Sequence, residues 1–529
     1  MDIYMLFTNA SKTNRHVEFL TFETTEQMVK QQNLASAWVC QRFQMQKSLP
    51  ISEGSNNVTH KSTLGTPLKR GNEVRFSIAT LLMVAIASLA WTPLSAQAAC
   101  HTYYVSTTGS DSKPGTITSP WLTLNKAAGK VVACDTVYVR GGTYVQAFNI
   151  STSGTATAPI TISAYPGESP IIDGQGIYPT GNWAPLVNLI GNYIVMSGFE
   201  VRNTSNNNAM GVVLYGQHNQ VSNFNVHHTY QNGILVRGDY GIVKNSSVWQ
   251  ASQVNVNASS TQGWASGLSA ARDPVNGITD NAILSGNIVY ANWGEGLSTF
   301  EANGTIVDNN VIYDNWGPNT YVSDAQNVIF RNNLVYTTPN NAVNKNSILL
   351  QMSDENPNVP RSANNVAINN MFFSGDIAAF VWTGVPGSGL VNALIANNTI
   401  VNGAVSTGTT IQGSTIQNNI VYRNDNGVLA QIASRNGLSL SNNLWSSAPL
   451  PNASGVGDII GNPKLALIGP MVAGQLTKNY FAVSRNSPAI NKGATVLKVT
   501  DKYLITSQGN TLNIGGYTAN LPIQFVASQ

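Results

Sequence analysis

The sequence predicts an all-β chain: a single-stranded right-handed parallel β-helix with a short capping helix at its N-terminal end. Three observations predict it. A unit of Asn, or a variant, followed by apolar residues recurs at Asn225, Ser247, Asn287, Asn310, Asn333, Asn370, Asn398, Asn419 and Asn443, at intervals of 22, 40, 23, 23, 37, 28, 21 and 24 residues. The tripeptide Asn-Trp-Gly at 292–294 returns at 315–317. The apolar pieces are short, β-branched or aromatic, as in Val311-Ile312-Tyr313, and no helical periodicity of useful length lies between them. A period of about 20–50 residues means a stacked architecture, and a propeller blade needs about 40. Two or three short strands in about 22 residues fit one coil of a parallel β-helix, with the longer intervals being coils that carry insertions.

Residues 1–98 read as a leader. Lys69, Arg70 and Arg75 precede the apolar run Phe76 to Trp91, and Ala96-Gln97-Ala98 follows it, the pattern of a secretory signal peptide at about 69–98. The run is short for a membrane span. The residues ahead of it show no repeat and suggest a start set too early. The expectation is bacterial-type export, to the periplasm or outside the cell, with no stable membrane insertion once the signal is gone. Removing 1–98 takes away 9 Lys+Arg and 6 Asp+Glu, so 28 − 9 = 19 basic and 25 − 6 = 19 acidic residues remain. A neutral chain rich in Asn, Ser, Thr and Gly has no basic stripe for nucleic acid. It is expected to act as a monomer. Cys100 and Cys134 remain after the leader and, in an oxidising compartment, can form one disulfide.

The β-helix is expected over 99–495, with 496–529 as a C-terminal cap or tail. An open solenoid end is an edge that must be covered. The amphipathic segment Trp121 to Ala128, after Ser119-Pro120, is placed to plug it. Thr136 to Val139, Ile160 to Ile162 and Ile171 to Gly174 supply the first coils. In the repeats, Asn at a tight corner can adopt the left-handed conformation and bond to the next Asn up the column. The column Tyr290, Tyr313, Tyr336, Phe373 and Tyr422 reads as wall packing. The region 460–529 holds six basic residues, Lys464, Lys478, Arg485, Lys492, Lys498 and Lys502, against Asp501.

The stretch YYVSTTGSDSKPGTITSPWLTLNKAAGKVVACDTVYVRGGTY, Tyr103 to Tyr144, resembles the N-terminal signature of secreted right-handed β-helix proteins, among them the family-nine pectate lyases. GNPKLA at 461–466 and RNSPAINKG at 485–493 resemble the C-terminal end of the same superfamily. The resemblance implies polysaccharide chemistry, often on uronic acids, with Ca²⁺ as a possible cofactor and a polysaccharide as partner. Family-nine lyases place a Lys base in a strand reading like Asn-Gly-Phe-Lys. The nearest stretches here, Asn232-Gly233-Ile234-Leu235 and Glu295-Gly296-Leu297-Ser298, have no Lys at that place, and the family's aspartate run is missing. Mannuronan epimerases of this fold carry Asp-Pro-His-Asp, whereas Asp273-Pro274-Val275-Asn276 lacks the His.

Stacking the coils by the strand after each tight turn puts Gly267 under Gly296 under Asn319, and so Arg272, Glu301 and Asp324 in one column. The longest insertions fall in the same zone, where loops rising beside a sheet make a groove. β-Elimination needs the uronate carboxylate neutralised and a base beside C5. Arg272 or Arg237 is a candidate clamp for the carboxylate. Glu301 and Asp324, with Glu295, are candidate calcium ligands. Lys345 is the candidate base, and Trp264, Asp273 and Tyr321 are candidate substrate contacts. A carboxylate pair, Glu301 with Asp324 or Glu295, would instead serve glycoside hydrolysis. Two readings stand beside these: a C5-epimerase, and a non-catalytic carbohydrate-binding or cell-surface protein in which the column is an ionic ladder. His227 and His228, adjacent on a strand, are expected to point to opposite faces.

Overall fold

The computed structural model describes residues 99–496 apart from 261–262, 340–342, 344–347, 356–361, 374–378, 384–389 and 409–410, together with 503–504, 513–515 and 526–527. The leader and signal peptide, Lys345 and nearly all of the expected tail at 496–529 lie outside these residues. Among the described residues no helix is long and apolar enough to cross a membrane.

Three parallel sheets run the length of the body, and each coil visits them in turn. Sheet 1 has 13 strands, from Thr102–Val105 to Leu438–Ser441; sheet 2 has 13, from Gly142–Tyr144 to Ile459–Ile460; sheet 3 has 11, from Phe148–Ile150 to Ala430–Ile432. The result is an all-parallel β-solenoid of about 11 turns. Strands this short are stable only because equivalent residues stack in register. Val243, Leu284, Val307, Phe330, Ala367, Ile395 and Ile416 form one such inward column in sheet 1, every member buried. Each large apolar side chain so buried contributes about 1.5–3 kcal/mol.

The two asparagines of the repeat divide the corner between them. The first takes the left-handed conformation: φ is 58° at Asn309, 57° at Asn332 and at Asn369, and 52° at Asn397. The second is fully buried and builds a ladder. Asn333 Nδ2 donates to Asn370 Oδ1 at 3.0 Å and to the Val307 carbonyl at 3.0 Å, while its own Oδ1 accepts from the Asn310 amide at 2.8 Å. The same pattern runs from Asn287 to Asn443. The repeated Asn-Trp-Gly is a second ladder at the entry to sheet 3, where Asn292 Nδ2 donates to Asn315 Oδ1 at 2.8 Å.

The N-terminal end is closed as expected. Helix α1 (Leu124–Ala128) is capped by Thr123, whose hydroxyl accepts from the Lys126 amide at 3.1 Å, and it buries Leu124, Ala127 and Ala128 in the solenoid core. Cys100 and Cys134 are disulfide-bonded. At the other end the boundary differs from the expected 495. The last solenoid strand is Ile459–Ile460, and the chain then turns back along sheet 2. Leu476, Tyr480 and Phe481 pack on the outward aromatic column, covering Tyr313, Tyr336 and Phe373. The physical reason is that this column points outward and needs a cover. Lys478 Nζ reaches Asn309 Oδ1 at 2.7 Å and the Asn332 carbonyl at 2.8 Å, and the Gly474 amide donates to Tyr336 Oη at 2.8 Å.

Candidate functional site

Sheet 3 brings several of the sequence candidates together on its outer face. Leu297 pairs with Leu268 below and Thr320 above, which gives the stacking expected from sequence and puts Arg272, Glu301 and Asp324 in successive coils at one corner. Asp354, absent from the sequence reading, continues the column one coil higher. Arg272 Nη1 lies 3.2 Å from Glu301 Oε2; the arginine is 43% exposed and the glutamate 7%. Asp324 is committed elsewhere: its Oδ2 accepts from Ser323 Oγ at 2.9 Å and its Oδ1 from the Glu355 amide at 2.7 Å.

Through that amide the corner joins a second group. Tyr321 Oη donates to Glu355, and Ser353 Oγ lies 2.9 Å from Glu355 Oε1 and 2.8 Å from Tyr321 Oη. Glu295 belongs to the same neighbourhood. Its Oε2 accepts from Ser266 Oγ at 2.9 Å, and Ser266 continues through Ser298 at 2.6 Å to Ser269 at 2.9 Å. Glycines let the coils close on it. A Cβ on Gly296 would lie 2.3 Å from the Asn319 carbonyl oxygen, and one on Gly317 would touch the Glu295 Cγ at 3.4 Å. Burial pushes the Glu295 carboxyl up to about 8, with Glu355 adding to the rise and Ser266 opposing it. Glu295 is therefore neutral at pH 7, able to donate a proton. Burial, then the charges of Glu355 and Glu295, hold the Tyr321 phenol well above its ordinary value. A neutral acid, a neutral phenol and the Glu355 carboxylate thus share one patch, a set of groups suited to moving protons.

Three expectations need correction. Glu295, Glu301 and Asp324 do not form a calcium site. Glu295 opens the strand Glu295–Phe300 and Glu301 follows its last residue, six positions on and about 20 Å away, and among the described residues no three His, Cys, Asp or Glu side chains could hold a metal ion. Glu301 is ion-paired with Arg272, and both Asp324 oxygens accept internal hydrogen bonds, so these donors do not fit calcium. Asp273 is 2% exposed and faces its own turn, its Oδ1 accepting from the Val275 and Asn276 amides at 2.8 and 2.7 Å. That geometry leaves it no substrate-facing edge. His227 and His228 do not diverge, because the strand ends at His227 and the left-handed φ of 53° at His228 swings its ring back, leaving the two Nδ1 atoms 2.7 Å apart.

The remaining candidates sit apart. Arg237 stacks on Tyr215 at 5.5 Å, lies 3.9 Å from Asp273, and is two coils below Phe300. Trp264 is 50% exposed and tilts against Trp316 at 5.1 Å, two residues before Ser266. Glu355 was not legible in the sequence, where it stands in an insertion with no repeat partner. Its only signal was the alternation of polar residues Gln351, Ser353 and Glu355 along an outward strand.

The family model described as Pel9A-like, right handed beta helix region, matches residues 103–370, about half of the chain. Pectate lyase PEL9 of Emericella nidulans is 49% identical over 74 residues, 14% of this chain and 18% of that protein. Uncharacterized protein YwoF of Bacillus subtilis is 30% identical over 143 residues, 26% of this chain and 30% of that protein. The matched stretches thus span less than a third of either relative's length. The solved structure of pectate lyase Pel9A superposes with a TM-score of 0.48 at 18% identity, covering 79% of this chain and 96% of that one. On the strength of the family model, the chain belongs to the Pel9A-like right-handed β-helix family.

Proposed function

We propose that the chain is a secreted polysaccharide lyase that cleaves a uronic-acid-containing polymer by β-elimination on the outer face of sheet 3. The observation that carries the reading is the grouping of Glu295, Tyr321 and Glu355, two proton donors beside one carboxylate. In this reaction the C5–H and C4–O4 bonds break and a C4=C5 double bond forms. Glu355 takes the C5 proton. Tyr321 gives its proton to the departing O4 and recovers one from Glu355 across their shared hydrogen bond. Neutral Glu295 hydrogen-bonds the uronate carboxylate, which lowers the charge that builds up at C5. Arg272, two coils below and three residues along from Tyr321, roughly 14 Å away, binds a neighbouring uronate of the same chain; Trp264 stacks on a sugar face. Family membership supports carbohydrate chemistry, and the similarity of one stretch to pectate lyase PEL9 supports elimination. The Cys100–Cys134 bridge supports an oxidising, extracytoplasmic location.

A second reading follows from one observation: a neutral glutamic acid near a carboxylate is also the pair that glycoside hydrolysis uses. One experiment tests both. Pectate, alginate and rhamnogalacturonan are incubated with the full chain, with and without calcium chelator. An ultraviolet-absorbing unsaturated product marks a lyase, and new reducing ends without that absorbance mark a hydrolase. Tyr321→Phe and Glu355→Gln are each expected to slow turnover by about 10²–10⁴-fold. Wild-type rates in both variants would remove the site.

A further inference from the structure

At the N-terminal end of sheet 3 a cleft of about 400 Å³ opens on the outer face. Its lining includes Asn125, Gln146, Asn149, Tyr178 and Thr180, and none of its ten residues is charged at neutral pH. Both walls are fixed by hydrogen bonds. Asn125 Nδ2 donates to the Ala147 carbonyl at 2.8 Å, and its Oδ1 accepts from the Asn149 amide at 3.3 Å. Opposite, the Tyr178 and Pro179 carbonyls accept from the Ser205 amide at 2.8 Å and the Ser205 hydroxyl at 2.6 Å. A cleft built this way is formed before anything enters it, which lowers the cost of binding.

The cleft is related to the Tyr321 group by register but separate from it. Asn149 pairs with Asn188, and the same outward column continues through Val213, Leu235, Ser269 and Ser298 to Tyr321. Six coil spacings make about 29 Å. Between the two places Met210, Val213 and Leu235 form a buried apolar cluster. A lining of the Asn125, Gln146 and Asn149 amides, the Thr180 hydroxyl and the Tyr178 phenol ring matches a ligand that offers hydroxyl groups and an apolar ring face. A carboxylate would lose its hydration there with no cation to replace it.

We infer that this cleft is a distinct binding site for an uncharged sugar unit, a neutral branch or neutral stretch of the polymer. The inference rests on the polysaccharide reading above. The test is affinity gel electrophoresis of the full chain in gels containing arabinan, galactan or polygalacturonate. Wild type and the variants Asn149→Ala and Thr180→Trp are compared, and unchanged melting temperatures confirm that the variants fold. Retardation by arabinan or galactan is expected, with the Kd raised about fivefold or more in both variants, the effect of losing roughly one hydrogen bond. Cleavage of short uronate oligomers is expected to stay at the wild-type rate. Failure of both neutral polymers to retard wild type, or equal retardation of the variants, would overturn the inference. Loss of cleavage on every polymer with the gel result intact would sink the lyase reading alone.

Discussion

Replacing Glu295 with Gln isolates the energetic consequence of burying an acid. The carboxyl rises from the ordinary 4.5 to about 8 in the folded protein. Below about pH 4.5 both folded and unfolded chains hold the proton. Between there and about pH 8 the unfolded chain releases it while the folded chain keeps it, so the stability present at low pH is lost as pH rises through this window. A difference of 8 − 4.5 = 3.5 pH units at about 1.4 kcal/mol each is about 5 kcal/mol. Gln keeps the shape and an acceptor for Ser266 but does not titrate. The expected result is that Glu295→Gln gains on wild type steadily from pH 5 to pH 8, reaching about 3–6 kcal/mol, and gains no more above pH 8. Urea unfolding of both proteins across that range measures it. Parallel stability curves would show that Glu295 is not held as a neutral acid, and the proton-donor role proposed for it would fall with them.

Three further outcomes are expected. Asn333→Ala removes ladder bonds at both neighbouring coils and orphans buried groups, for a loss of about 3–5 kcal/mol; Asn327→Gly, in the more exposed ladder to Asn303 and Asn364 and at a left-handed φ of 54° that glycine adopts freely, loses about 1 kcal/mol. Equal midpoints in denaturant would mean the buried amides are not what secures the corners. Arg272→Ala raises KM for polyuronate by about tenfold with kcat within about twofold, since the guanidinium sits at the corner rather than beside Tyr321; a collapse of kcat would place it at the reacting atoms. Reducing the Cys100–Cys134 bridge, which closes a separation of 34 residues, costs about 2–4 kcal/mol, read as a lower melting temperature in reductant.

The solenoid was legible because its chemistry repeats. Asn310, Asn333 and Asn370 must each meet the same environment one coil up, so their spacing carries the register, and the corner column Arg272–Glu301–Asp324 followed from it. Glu355 and Asp354 were not legible, since they stand next to insertions where the repeat breaks. In the sequence Glu295 shows only its charge, which suggests a metal ligand; that it is neutral depends on its burial where Gly296 and Gly317 let the coils close on it, which no local pattern announces. The turn-back after Ile460 was invisible for a similar reason. Leu476 and Phe481 have partners more than a hundred residues upstream, and nothing in their own neighbourhood names them.

That returning segment changes how the molecule comes apart. A stack whose turns touch only their neighbours frays from its ends. Here Lys478 fastens the last part of the chain to Asn309 and Asn332, 169 and 146 positions earlier, so the distal turns are bracketed like pages between a spine and a clasp. Peeling them off first strips Tyr313, Tyr336 and Phe373 of their cover, which makes the far half of the body fail as one unit. The same dependence sets an order in synthesis: those rings stay wet until residues 476–481 have emerged.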